Sequence, residues 1–302
     1  MINIGILYDK NVTMFGNKPF KGDDTYNKDY QKFITNGKKC GVNYILAPYT
    51  EYKDKFFKRA WIFDEKWKKI KDQKIDMVFD KVDGPVAFAL KKKIYRTIPL
   101  INDYQFDLLC TDKWLSYKKW PKFFVKTVLG SNVQAVKKFK TDLVVAKPRT
   151  GASGQGIKFI NKKKYKKLPS SYIVQEFIRG GKILNYSGQH DYRLYIVNNK
   201  ILFASLRMPV KHKYLANVGK GGREIFFINK KMPKSILTIF NKIKHDLKKI
   251  RVKVYSLDFM IDENNRAYLI ELNTRPGITH YFNEKIYKLI GINISKALKK
   301  YV

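Results

Sequence analysis

Short apolar runs bounded by turn-forming residues alternate with helix-length stretches through the first third of the chain. Residues 2–7, 43–47, 76–80 (DMVFD) and 98–102 (IPLIN) read as strands flanked by Asp, Pro and Asn. Between them the pattern predicts helices over 28–39 and 53–71, the second rich in aromatic residues and lysine. Such alternation implies a small α/β domain with a mainly parallel sheet.

After Tyr104 the pattern changes. Residues 111–119 read as a helix that Thr111 is placed to cap, and Ser131 precedes a helical stretch over 132–140. Apolar runs then crowd together at 143–147, 156–160, 172–178, 192–197, 200–208 and 224–228. This predicts an antiparallel, hairpin-rich region with Asn198-Asn199 as a tight turn. Residues 233–250 form an amphipathic helix whose stripe is Ile236, Ile239, Ile243, Leu247 and Ile250, with His245 off it. Two more strands and a terminal helix over 283–300 complete the pattern.

Composition narrows the class. Of 302 residues, 44% are hydrophobic and 15% aromatic, enough to bury a core and offset ordering entropy. No run of about 18 apolar residues occurs, so no membrane span is expected. The opening MINIGILYDK lacks the features of a secretory signal, and a cytoplasmic protein is expected. Cys40 and Cys110 are too few for a disulfide framework and lack zinc-site spacing. The 62 basic and 25 acidic residues give a net charge of +37. Lysines spread along the whole chain and no nucleic-acid reader motif occurs. Non-specific attraction to polyanions is therefore expected, and specific nucleic-acid binding is not.

The segment YSLDFMIDENNRAYLIELNTRPG (255–277) carries the chemistry. With Asn264-Asn265 as a two-residue hairpin loop, facing positions sum to 529, which sets Asp258 opposite Glu271 and Ser256 opposite Asn273. Alternation then puts Leu257, Phe259, Ile261, Tyr268, Ile270 and Leu272 on an apolar face, with Met260 and Leu269 beside the carboxylates. Two carboxylates and an amide on one face suit a hard divalent cation bridging nucleotide phosphates. Upstream, AKPRTGASGQGI (146–157) sets Lys147 before three glycines, a loop that lets backbone N–H groups approach phosphate. It is neither a P-loop nor a dinucleotide fingerprint, because a strand rather than a helix follows.

In order along the chain stand TDKW, AKPRTGASGQGI, VQEFI, HDYRLYIVNNKI, NVGKGG and DFMIDENNRAYLIELNTRPG. On this ordered set, over roughly residues 98 to 280, the sequence resembles the ATP-grasp superfamily and its glutathione-synthetase-like branch. It is similar in pattern to ribosomal-protein glutamate ligases and endospore-coat-associated ATP-grasp proteins. The resemblance implies an N-terminal α/β pre-ATP-grasp domain over 1–108 and an ATP-grasp domain over 109–302. The latter would comprise a small subdomain to about 175 and a C-terminal one beyond it, with ATP held between two antiparallel sheets. It implies that Lys113 and Lys147 reach the phosphates under a loop containing Gly151, Ser153, Gly154, Gln155 and Gly156. Gln175, Glu176, Phe177 and Ile178 would take the adenine, bonded by the Glu176 carbonyl and the Ile178 N–H, and Asp191 the ribose.

Asp258, Glu271 and Asn273 match the family's magnesium ligands, for two ions, with Mn2+ as a substitute. Arg193, Arg207 and Asn217 stand where relatives place groups around the transferred phosphate and acceptor carboxylate. Family members often carry an arginine just before the first metal-binding aspartate. This chain has Tyr255 and Ser256 there, which makes Arg207 the substitute. The implied activity is an ADP-forming carboxylate–amine ligase that makes an amide or peptide bond through an acylphosphate. Its partners would be ATP, a small-molecule or peptide carboxylate and an amine acceptor, acidic ones being favoured by the charge. Two rival readings are an ATP-grasp kinase of a polyanion such as an inositol polyphosphate, and a coat-type nucleotide-binding protein without turnover.

Overall fold

β1 (Ile2–Tyr8) forms the centre of a seven-stranded sheet, and α1 (Asp24–Lys38), capped by Asp23, leads from it to β2 (Val42–Pro48). The structure is a computed structural model. It describes all residues except 10–11, 83–84, 152–153, 211–212, 217–220, 229–231, 251–252, 279–282 and 302, and only the backbone of 85–88. Strands β3 (Tyr52–Lys53), β4 (Phe56–Asp64) and β5 (Lys66–Lys74) come next, then β6 (Met77–Asp80), α2 (Pro85–Tyr95) and β7 (Leu100–Ile101). β2, β1, β6 and β7 are mutually parallel, as the alternation predicts, while β3 to β5 form an antiparallel flank.

That flank corrects the helix expected over 53–71. Phe57, Ala60 and Trp61 fit a helical stripe, but they lie on a strand whose neighbouring Ala60 and Trp61 are buried in different cores. Aromatic and β-branched residues favour the pleated surface. Asp54 and Lys55 both take positive φ in a tight turn closed by Lys53 and Phe56, and Glu65 takes φ +57 at the next turn. Phe63 and Trp67 pair across the strands with ring centroids 5.3 Å apart. Gly5 on β1 lets the Phe57 ring lie close over the sheet, since a Cβ there would come 2.6 Å from that ring.

α3 (Tyr104–Thr111) and α4 (Lys113–Lys119) adjoin at Asp112, whose carboxylate accepts from the N–H groups of Trp114 and Leu115. Thr111 therefore ends one helix, and the cap of the next is Asp112. The same one-residue correction applies downstream. Asn132, not Ser131, caps the short helix α5 (Val133–Lys137), which lies between β8 (Thr127–Leu129) and β9 (Leu143–Pro148). With β10 (Lys158–Asn161) and β11 (Tyr172–Glu176) these strands form an antiparallel sheet in the order β10-β9-β11-β8.

A small hairpin, β12 (Lys182–Ile183) and β13 (Tyr186–Ser187), leads to β14 (Asp191–Val197), β15 (Lys200–Met208) and β16 (Arg223–Phe227). After α6 (Lys234–Asp246) come β17 (Val254–Ile261) and β18 (Ala267–Asn273), and the five strands order as β16-β15-β14-β17-β18. Ile236, Ile239, Ile243 and Leu247 are buried against Leu194, Leu206 and Leu257, so α6 covers one face of this sheet. Each such burial stabilises by roughly 1.5–3 kcal/mol. The other face is left for Asp191, Arg193 and Asp258. α7 (Glu284–Lys299), capped by Asn283, returns to the first sheet, where Ile286, Ile290 and Ile294 join Phe33 and Tyr44 in one core.

Candidate functional site

The β17–β18 hairpin sets the site, and its register meets the expectation by a different route. Asp258 faces Glu271 and Ser256 faces Asn273, as counted. The loop, however, is one residue longer. Asp262 N–H donates to the Arg266 carbonyl at 2.9 Å and Asn265 takes φ +61, so pairs near the tip sum to 528. A bulge at Ile270 adds the residue that restores 529 below it. The bulge also corrects the facing: Leu269 is fully buried in the core, while Tyr268 and Ile270 are only half-buried.

Across the sheet, Ser205, Arg193, Asp258 and Glu271 form one row on four strands, and Asp191 faces Arg207 beside it. Arg193 grips Asp258 with two prongs, Nε to Oδ1 at 2.7 Å and Nη2 to Oδ2 at 2.6 Å. Arg207 Nη2 donates to Asp258 Oδ2 at 2.9 Å and also to Asp191 Oδ2. Burial alone would raise the Asp258 pKa, but the two guanidiniums outweigh it and hold that carboxyl below the usual range. At Asp191 burial wins over Arg207, and its pKa rises to about 7. Among the described residues several polar atoms here have no hydrogen-bond partner: Asp191 Oδ1, Arg207 Nε, Ser205 Oγ and Ser256 Oγ. Buried groups left in this state favour a polar ligand.

The four-stranded sheet contributes the opposing charge. Lys147 near the end of β9 has its pKa pushed down to about 8 by burial, with Glu271 opposing the shift and Lys113 adding to it. Lys113 opens α4, and its Nζ lies 3.2 Å from Glu271 Oε1 and donates to the Gly151 carbonyl at 2.8 Å. Gly151, Gly154 and Gly156 all take positive φ, a conformation that L side chains rarely adopt. Gln155 beside them is exposed.

The expected base-binding stretch lies further along. Gln175 is buried and donates to Thr127 Oγ1 at 2.9 Å, the Glu176 carboxylate accepts from Lys140 N–H at 2.7 Å, and Ile178 is buried. Phe177 packs against Phe159 and Tyr214, and lines a cavity of about 650 Å3 with Thr141, Gln189 and Glu263. Lys147, Asp258 and Glu271 do not line that cavity. Ser153 and Asn217 lie outside the described residues.

Some participants escaped the sequence reading. Arg149 forms a two-pronged pair with Asp112, Nε to Oδ1 at 3.2 Å, and its carbonyl accepts from Lys113 N–H at 2.9 Å. These contacts tie the glycine loop to the helix that carries Lys113. Arg275 N–H donates to Asn273 Oδ1 at 2.8 Å. The available signal was a charged residue flanking each motif, the Asp before Lys113 and the Arg in NTRPG. Asp258, Glu271 and Asn273 are oxygen donors suited to a hard divalent cation. Among the described residues no cluster of three or more His, Cys, Asp or Glu side chains is arranged as a metal site.

A family model described as an ATP-grasp domain matches residues 110–279, more than half of the chain and the span holding every residue of the charged cluster. The chain belongs to the ATP-grasp family. Two curated relatives are an uncharacterized MG011 homolog of Mycoplasma pneumoniae, 28% identical over 183 residues, and uncharacterized protein MG011 of Mycoplasma genitalium, 25% identical over 183. In both cases the match spans 59% of this chain and 59% of the relative's length. Among solved structures, D-cycloserine synthetase DcsG aligns with a TM-score of 0.67 at 10% identity, covering 99% of each chain. A RiPP-associated ATP-grasp ligase of Chryseobacterium gregarium, in complex with ADP and a leader and core peptide, gives 0.62 at 16%, covering 98% of this chain and 97% of its own. The VanG D-Ala:D-Ser ligase of Enterococcus faecalis gives 0.62 at 12%, covering 100% and 99%. At these identities the likeness is one of fold.

Proposed function

We propose that this chain is an ATP- and magnesium-dependent carboxylate–amine ligase, organised as an N-terminal domain over 1–108 and an ATP-grasp domain over 109–302. The observation that carries the reading is the meeting of Lys113 and Lys147 with Asp258 and Glu271 amid orphaned buried polar atoms. The ligases among its structural relatives add support. Lys113 and Lys147 bind the ATP phosphates, with Gly151, Ser153, Gly154, Gln155 and Gly156 closing over them. Gln175, Glu176, Phe177 and Ile178 hold the adenine, and Asp191 the ribose. Asp258, Glu271 and Asn273 would hold magnesium, which would neutralise phosphate charge.

The donor carboxylate attacks the γ-phosphorus, the bond to the bridging oxygen breaks, and ADP leaves an acylphosphate behind. The amine nitrogen then adds to the acyl carbon and loses a proton, and the bond to phosphate oxygen breaks to leave an amide. Arg193, Arg207 and Asn217 stabilise oxygen charge in both steps, and exclusion of water protects the acylphosphate. No protein nucleophile is needed.

The test is incubation with ATP and Mg2+ and with pools of amino acids, peptides or inositol phosphates, followed by mass spectrometry. ADP, phosphate and an amide product are expected. A phosphorylated acceptor would establish the kinase reading instead, and no product from any pool would favour an inert nucleotide site.

A further inference from the structure

Between the first sheet and the site lies a buried set of charges that the proposed chemistry leaves unused. Lys91 of α2 is 1% exposed, and its Nζ lies 2.6 Å from Asp80 Oδ2 at the end of β6 and 2.6 Å from Asp107 Oδ2 on α3. Arg275, two residues past Asn273, brings Nη1 to 3.3 Å from Asp107 Oδ2 and 4.0 Å from Asp80 Oδ2. Among the described residues two carboxylates thus face two cations, as burial favours, because an uncompensated buried ion is strongly destabilising. Burial raises the Asp80 pKa, whereas at Asp107 the cations Arg275 and Lys91 outweigh burial and lower it.

The segment leaving β18 is held by this set. The Thr274 hydroxyl donates to Asp107 Oδ1, and the Thr274 carbonyl accepts from Asn102 Nδ2 at 2.6 Å. The Pro276 carbonyl accepts from Lys81 Nζ at 2.9 Å, and Arg275 N–H donates to Asn273 Oδ1 at 2.8 Å. Apart from the Arg275 bond to Asn273, residues 274–276 thus bond the residue after β6, α3 and the residue after β7, outside the sheet that carries the carboxylates. Glu271 and Asn273 lie immediately before that segment on β18.

We propose that Lys91 and Asp107 are positioning residues: through Thr274 and Arg275 they set where Glu271 and Asn273 stand, and hence how tightly the site takes magnesium with its nucleotide. This rests on the reading of the site given above. Partners that orient metal ligands from behind govern metal affinity in this way. Lys147 and residues 175–178 lie on other elements, so disturbing the network leaves their share of nucleotide binding in place.

The experiment is calorimetry of ATP binding, with Mg2+ and with EDTA, on the wild-type chain, on Asp107→Asn and on the double variant Asp80→Asn/Lys91→Met, which removes one charge of each sign. The gain in ATP affinity brought by Mg2+ should fall about tenfold in both variants. Affinity in EDTA should stay within about twofold of wild type. Circular dichroism checks folding, and Asp107→Asn, which preserves side-chain shape, carries the comparison if the double variant does not fold. An equal loss with and without Mg2+ marks a purely structural network and overturns the proposal, as does an unchanged Mg2+ gain in a folded variant. A wild-type chain whose ATP affinity does not depend on Mg2+ overturns the reading of the site, and the proposal with it.

Discussion

At Lys147, burial sets the ionisation of a group proposed to meet ATP. A lysine held at about 8 in the folded chain is protonated below that pH and neutral above it. Binding a polyphosphate above that pH then requires proton uptake, so ATP affinity should fall as pH rises through about 8. Lys147→Arg, which stays charged, should flatten that dependence, and Lys147→Ala should weaken both ATP binding and catalysis. Calorimetry over a pH series measures both, and unchanged affinity in Lys147→Ala would make it an ordinary strand-end lysine. Glu271→Gln and Asp258→Asn should each lower kcat on the order of a hundredfold or more, beyond any loss of nucleotide affinity. Their stabilities should differ. Asp258 is buried beneath two half-buried guanidiniums, so Asp258→Asn removes the counter-ion they share and should cost about 3 kcal/mol. Glu271 keeps 30% of its side chain exposed, and Glu271→Gln should melt close to wild type. Near-normal turnover in either variant would remove the metal-site reading.

Among the elements, the strap that joins the two antiparallel sheets is pinned by one imidazole. Ile261 N–H can only donate, so His190 Nε2, 3.0 Å away, must accept, and Nδ1–H therefore donates to the Gly188 carbonyl at 2.8 Å. Gly181 permits the close approach of the same strap to Asp262, and Gly180 lets the strap fold back onto Gly188; a Cβ at either would collide with backbone. Burial lowers the His190 pKa, so the folded chain prefers the neutral ring. The unfolded chain binds the proton more readily below its ordinary pKa of about 6.5, so this contribution to stability is full above that pH and lost as pH falls through the lower folded value. His190→Ala should destabilise by about 1–3 kcal/mol through the unsatisfied Ile261 N–H, and should remove that part of the acid dependence. Urea melts of both proteins over a pH series measure this, and parallel curves would contradict it. The strap is also where periodicity was least informative, because its two strands have two residues each.

The whole molecule carries +37, and two arrangements of that charge predict different binding. If lysines surround the acceptor cleft, acidic amino acids or acidic peptide tails should outcompete neutral ones, and the preference should persist as salt is raised. Diffuse surface charge should instead bind every polyanion alike, and that binding should fade once screening shortens the range to about 8 Å. Competition assays across a salt series, with heparin as the unselective control, separate the two. Equally tight heparin binding with no acceptor preference at any salt would make the charge a trait of composition alone. At this scale the chain also closes on itself: α7, from the end of the sequence, completes the core of the first sheet, and the Tyr44 and Ser295 hydroxyls lie 2.9 Å apart across it.

Local pattern determined what depends on near neighbours. The parallel strands of the first sheet, the stripe of α6 and the Asn198-Asn199 turn follow from periodicity and turn chemistry, which act within a few residues. The ordered motifs identified the ATP-grasp family, because glycines, lysines and carboxylates at those intervals serve one geometry. Residues 53–71 show helical spacing at Phe57, Ala60 and Trp61, and only cross-strand partners such as Phe63 and Trp67 decided for strands. Asp258 and Glu271 were paired correctly from a loop counted one residue short, since the bulge at Ile270 cancelled the error. Bulges leave no period to read. The contacts of Lys91, Asp107 and Arg275 join residues as distant in sequence as Asp80 and Arg275. No local rule reaches so far, and only the packing of one sheet against the other brought those charges together.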